Sequence, residues 1–123
     1  MNAATTPSGE ASGPRAVAEE YLRLASIGDA DGIAELYAED AEFVPIPPFQ
    51  ITVRGREAIR EHYRSHVSSV RPEFLRLDWI VDGNKCVVEI ESRPAGSDQI
   101  VEVIDVFTMD DDGKIKRMIA YKR

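Results

Sequence analysis

Three tyrosines and one aspartate stand at positions where a folded core normally has apolar side chains. Tyr21, Tyr37 and Tyr63 are three of the chain's four tyrosines, and each lies on the apolar stripe of its own predicted helix. A buried tyrosine hydroxyl needs a hydrogen-bond partner, and three hydroxyls that face one cavity can bond to one another. For any single tyrosine, a core aromatic whose hydroxyl reaches solvent is the simpler interpretation. The coincidence of three favours a functional network.

Asp105 lies within a predicted strand, on the same face as Val101, Val103 and Phe107. The other face of this strand mixes polar and apolar residues, so alternation alone leaves open which face is buried. If the Asp105 face lines a cavity, desolvation raises the pKa of the carboxyl, which then stays protonated and donates a hydrogen bond. The alternative is a solvent-facing carboxylate near the rim of the sheet.

The remaining reactive residue types give weaker signals. His62 and His66 are an i, i+4 pair, but no third ligand follows at a recognisable spacing, so we predict a solvated helix face and no metal site. Cys86 is predicted to be a packing residue. The acidic turn at residues 110–113 lacks the length and the ligand pattern of a calcium loop. No cofactor is expected.

Length and composition limit the classes of protein that the chain can be. Its 123 residues fit one domain with a sizeable core, and its net charge of -7 disfavours a nucleic-acid partner because phosphates would be repelled. The single cysteine excludes an intrachain disulfide. Neither a membrane-spanning apolar run nor a secretory signal is visible, so we expect a cytoplasmic protein with no membrane partner.

Periodicity and turn signals predict the elements that position these residues. Residues 1–13 are poor in large apolar side chains and are predicted to be a disordered tail before one domain, residues 14–123. Pro14, Asp29 and Gly55 mark the starts of three predicted helices, of which the last carries Ile59, Tyr63, Val67 and Val70 on one side. The predicted strands are residues 41–44, 74–81, 86–93, 100–109 and 115–122.

This order of elements indicates an α+β fold. A curved antiparallel sheet would pack on the three N-terminal helices and leave an apolar pocket between the two layers.

Three segments carry a family resemblance: residues 28–41 (GDADGIAELYAEDA), 55–64 (GREAIREHYR) and 103–121 (VIDVFTMDDDGKIKRMIAY). They resemble the bacterial Δ5-3-ketosteroid isomerases, within the superfamily of nuclear transport factor 2 (NTF2) and the SnoaL-like cyclases. The resemblance runs from about residue 17 to residue 121 and implies the cone-shaped NTF2-like fold. It also implies a homodimer that pairs through the outer face of the sheet.

The resemblance assigns roles to the tyrosines and to Asp105. The ketosteroid isomerases are the standard example of an oxyanion hole built from a Tyr and a protonated Asp. By position, that pair is Tyr21 and Asp105, and Tyr37 and Tyr63 match the supporting tyrosines. The substrate pocket predicted with this assignment is lined by Pro45, Cys86, Val88, Ile90, Ser92, Val101, Val103, Phe107, Met118 and Ala120.

The chain departs from the family at the catalytic base. The family's loop Asp corresponds to Pro45, the loop is one residue longer, and residues 43–56 contain no Asp or Glu. Proline cannot accept a proton, so the usual base is missing.

The leading hypothesis is a steroid Δ-isomerase-type enzyme that binds an apolar carbonyl or phenolic compound and stabilises an enolate. The first alternative is a SnoaL-like polyketide cyclase or dehydratase in which an ionised Asp105 is the base. The second is a non-enzymatic small-molecule binding protein or dimeric interaction module.

Overall fold

Three helices and six strands make up the part of the chain that this computed structural model describes, residues 13–49 and 51–123. The predicted tail, apart from Gly13, lies outside the described residues. The helices are α1 (Pro14–Ile27), α2 (Ala30–Glu35) and α3 (Arg56–His66). The strands are β1 (Tyr37–Val44), β2 (Val53–Arg54), β3 (Glu73–Asp82), β4 (Lys85–Arg93), β5 (Val101–Met109) and β6 (Ile115–Lys122).

The strands form one curved sheet in the order β2-β1-β6-β5-β4-β3. The predicted α+β fold with a curved sheet on three helices is therefore confirmed, with one difference. The pair β1–β6 is parallel, whereas the sequence predicted an antiparallel sheet throughout. The two strands lie far apart in the chain, and the long segment between them leaves room for the crossover that parallel pairing requires.

The largest local difference concerns Tyr37, which the sequence placed on a helix. Helix α2 ends at Glu35, and Tyr37 is the first residue of β1, paired with Ile115 of β6. The carbonyl of Leu36 accepts a hydrogen bond of 2.9 Å from the Ile115 amide, so a contact with the far end of the chain draws this segment into the sheet.

Two further boundaries differ from the prediction. Helix α3 ends at His66, so Val67 is its cap residue and Val70 lies beyond the helix, where it is exposed. The two-residue strand β2 was not predicted, because it is recognisable only through its pairing with β1.

The concave face of the sheet is buried against α1 and α3. On β4 every second residue is buried: Cys86, Val88, Ile90 and Ser92. Tyr21 and Leu24 from α1, and Ile59 and Tyr63 from α3, close the other side of the core. In the described part of the chain, no helix is both long and apolar enough to cross a membrane.

Gly28 caps the C-terminal end of α1. Its φ of 73° is left-handed, and a Cβ there would lie 2.5 Å from the Ser68 carbonyl oxygen. We therefore expect Gly28→Ala to lower the free energy of unfolding by about 2 kcal/mol or more, through backbone strain and steric overlap together.

Gly83→Ala is the matched control, because Gly83 also has a left-handed φ, 59°, but no atom lies within 4 Å of the position that a Cβ would occupy there. Urea unfolding of both variants measures the difference. Equal losses of stability would show that the close approach at Gly28 contributes nothing.

Candidate functional site

The hydroxyl of Tyr63 lies at the centre of a buried tyrosine cluster. Its oxygen is 2.6 Å from that of Tyr21 and 3.1 Å from that of Tyr37, both hydrogen-bonding distances. The three side chains come from α3, α1 and β1, and they are at most 6% exposed. The structure thus brings together the three tyrosines that the sequence singled out.

Aromatic packing and one arginine hold this cluster in place. The Tyr21 ring meets Phe107 edge-on at 5.1 Å between centroids, and the Tyr63 ring stacks on Phe43 at 5.0 Å. The Arg56 guanidinium donates hydrogen bonds of 2.9 and 2.8 Å to the Tyr37 carbonyl oxygen. This anchoring role of Arg56 had no signal in the sequence, because it depends on the fold bringing α3 to β1.

All three hydroxyls stay protonated at physiological pH. Burial raises the pKa of Tyr21 and of Tyr63 well above the ordinary tyrosine value, and it raises the pKa of Tyr37 in the same way. A nearby carboxyl, Asp105, raises the pKa of Tyr21 and Tyr37 further. Each hydroxyl is therefore a hydrogen-bond donor and not an anion.

Asp105 occupies the centre of the concave face. It lies on β5 between Val88 of β4 and Ala120 of β6, and it is only 6% exposed. The question that alternation left open is thereby settled, because the face of Asp105 and Phe107 is the buried one. Within the described residues, no hydrogen bond reaches its carboxyl oxygens. Desolvation raises the pKa of Asp105 from 3.8 to about 7.

The residues predicted to line the substrate pocket form one continuous area of the sheet around Asp105, except Pro45, which lies in the loop after β1. The cross-strand partners are Cys86 with Phe107, Val88 with Asp105, Ile90 with Val103, and Ser92 with Val101. On the other side, Met118 pairs with Phe107 and Ala120 pairs with Asp105. The predicted residues are adjacent in space, and their role toward a ligand stays a prediction.

A cleft of about 470 Å³ opens where the proline-rich loop meets the end of β6. Its walls are largely apolar and include Pro45, Phe49 and Ala120. Ala120 is also the β6 partner of Asp105, so the cleft and the buried carboxyl adjoin the same point of the sheet. The volume is within the range of pockets that hold small organic ligands.

The prediction of a solvated histidine pair is wrong for His62. His66 is exposed, but His62 is 8% exposed and its ring lies 5.5 Å from both Phe43 and Phe49. Burial, and secondarily the neighbouring His66, lower the pKa of His62 below the ordinary histidine value. Its position three residues after the inward-facing Ile59 was the available signal. Nowhere in residues 13–49 and 51–123 does a cluster of three or more potential metal ligands occur.

Comparisons with known proteins agree with this architecture. A family model described as a SnoaL-like domain matches residues 6–118. The Steroid Delta-isomerase of Nocardioides simplex is 32% identical over 108 residues, covering 87% of this chain and 87% of that protein. The resemblance identified from the sequence is thereby confirmed.

Solved structures give the same result for the fold. The epoxide hydrolase/cyclase-like enzyme SalBIII, with a role in pyran ring formation in polyether salinomycin, superposes with a TM-score of 0.72 at 26% identity over 89% of this chain and 90% of that one. A protein from Sphaerobacter thermophilus superposes with a TM-score of 0.75 at 19% identity over 91% of this chain and 97% of that one.

The buried carboxyl should make the stability of the protein depend on pH. Because the folded protein raises the pKa of Asp105 to about 7, the folded state binds a proton that the unfolded state releases above pH 4. This contribution to stability is fully present below pH 4 and is lost as pH rises to about 7, by about 4 kcal/mol in total.

We therefore expect Asp105→Asn to remove this component. As pH rises from 4 to 7, the free energy of unfolding of the variant should increase relative to that of the wild type. Urea unfolding at several pH values measures the difference, with the exposed Asp112→Asn as control. A constant difference between the two proteins across this range would contradict the burial of an unpaired carboxyl.

Proposed function

We propose, since the chain belongs to the SnoaL-like domain family, that it is an enzyme that binds an apolar carbonyl compound and stabilises its enolate. Tyr21 and a protonated Asp105 would donate hydrogen bonds to the enolate oxygen. Tyr63 and Tyr37 would hold the Tyr21 hydroxyl in position. The similarity to a steroid Δ-isomerase supports a cyclic, steroid-like ketone as the substrate class.

The single observation that carries this proposal is the unpaired carboxyl of Asp105 in the same buried interior as the tyrosine hydroxyls. In its neutral form it has a proton to donate, and the described residues offer that proton no acceptor. A carbonyl oxygen that gains negative charge during enolisation would be such an acceptor. Donors that are already oriented in a dry interior stabilise developing charge strongly, because they need not reorganise.

The reaction that fits these groups is the migration of a double bond. A base removes a proton from the α carbon of a β,γ-unsaturated ketone, and the electron pair of that C–H bond forms the new double bond of a dienolate. The carbonyl π electrons move to the oxygen that Tyr21 and Asp105 hold. Return of the proton to the γ carbon gives the conjugated ketone, with no redox change.

The loop beside the cleft contributes shape and not a base. Pro45 is buried. By the family resemblance, it corresponds to the position of the catalytic carboxylate of the ketosteroid isomerases. It has no group that accepts a proton, so the proton must be taken by another residue, by a group of the substrate or by water.

A second candidate function is a cyclase or dehydratase in which Asp105 itself is the base. The observation that favours it is the pKa of Asp105 near 7, which leaves a substantial ionised fraction at neutral pH. The similarity to the cyclase-like enzyme SalBIII supports the same alternative. An ionised Asp105 could not donate to an enolate oxygen, so the two functions exclude each other at this residue.

The proposed setting is a homodimer in the cytoplasm. Ile80 and Tyr121 are apolar residues of the sheet that are at least half exposed, which suits a partner on the outer face. A non-enzymatic carrier would use the same cleft without the chemistry.

Binding of a phenol tests the oxyanion hole directly. We expect equilenin, whose phenolic oxygen mimics an enolate, to bind the wild type, and the double variant Tyr21→Phe plus Asp105→Leu to bind about 100-fold more weakly because two charge-assisted hydrogen bonds are lost. Fluorescence titration measures both affinities, and Asp112→Leu on the exposed acidic turn serves as control. Undiminished affinity in the double variant would contradict the proposed site.

Two substitutions of Asp105 separate the candidate functions. An Asn amide still donates a hydrogen bond, so Asp105→Asn should retain at least about tenfold more turnover than Asp105→Ala if Asp105 is a donor. An amide accepts no proton at neutral pH, so equal and nearly complete loss in both variants would identify Asp105 as the base. Turnover of a Δ5-3-ketosteroid and of polyketide-like ketones provides the measurement.

A further inference from the structure

We propose that His62 is the group that moves the proton in this site, in place of the carboxylate that the loop lacks. This inference rests on the proposed enolate chemistry and adds to it the identity of the base.

The first support is the isolation of the imidazole. His62 is 8% exposed, and among the described residues its ring nitrogens make no hydrogen bond. A buried polar group normally has a partner, because leaving one unpaired costs about 1–3 kcal/mol. A buried imidazole without a partner is suited to bond with a group that a ligand brings.

The second support is the position of His62 between the cleft and the tyrosine cluster. Phe49 lines the cleft together with Pro45 and packs on the His62 ring at 5.5 Å between centroids. On the other side, Phe43 lies 5.5 Å from His62 and 5.0 Å from Tyr63. Phe49 and Phe43 thus connect the His62 ring to a wall of the cleft on one side and to the tyrosine cluster on the other.

The third support is charge. The ionisable rings packed against His62 are those of His66, at 4.7 Å, and Tyr63, at 6.4 Å. On the adjacent strand β1, the carboxylate of Glu42 forms an ion pair with Arg54, and not with His62, and lies near Arg117. Residues 43–53 contain no charged side chain. Burial and His66 both lower the pKa of His62, so its lone pair is free at neutral pH.

The proton balance is simple. A nitrogen of neutral His62 takes the α proton of the β,γ-unsaturated ketone, which leaves an imidazolium and a dienolate of opposite charge. The imidazolium then returns the proton to the γ carbon, and both groups regain their starting states. No other reactant is consumed.

The test compares His62→Phe with Asp112→Asn, a substitution on the exposed acidic turn, in the chain of residues 1–123. Phenylalanine keeps the aromatic packing against Phe43 and Phe49 but cannot take up a proton. With androst-5-ene-3,17-dione as substrate, we expect His62→Phe to lower kcat at least about 100-fold, the size of a typical general-base contribution. Equilenin affinity should change less than about threefold, and Asp112→Asn should retain the activity of the wild type.

Two further readouts exclude a merely structural effect. The wild-type profile of kcat/KM against pH should fall on the acid side with a pKa below the ordinary histidine value, and this limb should be missing from the residual activity of His62→Phe. In His62→Ala, added imidazole should restore part of the lost turnover. His62→Gln provides a second full-size variant if the phenylalanine variant unfolds.

The outcomes separate this inference from the proposed function. If equilenin binds and kcat is unchanged in His62→Phe, the role of His62 is overturned and the proposed oxyanion hole is not contradicted. The same holds if equilenin binds the wild type but the wild type shows no turnover. Neither binding nor turnover in the wild type would overturn both. Loss of turnover with preserved binding and imidazole rescue would support His62 as the base.

Discussion

The constraint on which this site depends is the cost of keeping an unpaired carboxyl out of water. The interior around Asp105 is formed by Val88, Ala120 and Phe107, none of which can donate a hydrogen bond from its side chain. The carboxyl therefore avoids ionisation, and its pKa rises to about 7. This desolvation destabilises the folded state when Asp105 is ionised, and it also keeps on Asp105 a proton that can be donated.

The tyrosine cluster, unlike Asp105, consists of buried polar groups that have hydrogen-bond partners. Its hydroxyls satisfy one another, with Tyr63 between Tyr21 and Tyr37, so three polar groups are buried with few unpaired atoms. Such a network is rigid because each ring is also packed against an aromatic neighbour or held through its backbone, as Arg56 holds Tyr37. Rigid donors beside an unpaired acid are an arrangement that favours a ligand oxygen over water. The proline-rich loop, which carries no charge between residues 43 and 53, keeps the neighbourhood of His62 apolar.

The sequence predicted those parts of the site that depend on local periodicity. Tyr21 and Tyr63 lie on the inward stripes of helices that the structure contains. It misplaced Tyr37, because pairing with Ile115 joins positions that are distant in the chain. The sequence left open which face of β5 is buried, because β5 has apolar residues on both sides.

The burial of His62 was missed because it depends on Phe43 and Phe49, which reach it only in the folded protein. The residue pattern favoured a tyrosine network and, if its face were buried, a protonated Asp105, whereas the oxyanion-hole roles came from the family resemblance.

The protonation state of Asp105 is the most direct measure of whether this interior can act as an oxyanion hole. Carbon-13 labelling of the aspartate carboxyls, with the Asp105→Asn variant to assign the resonance, allows this one group to be titrated by NMR. A desolvated carboxyl that keeps a protonated fraction at neutral pH predicts a midpoint near 7. A midpoint at about 4, the ordinary aspartate value, would show an ionised carboxylate at neutral pH and would contradict the proposed oxyanion hole.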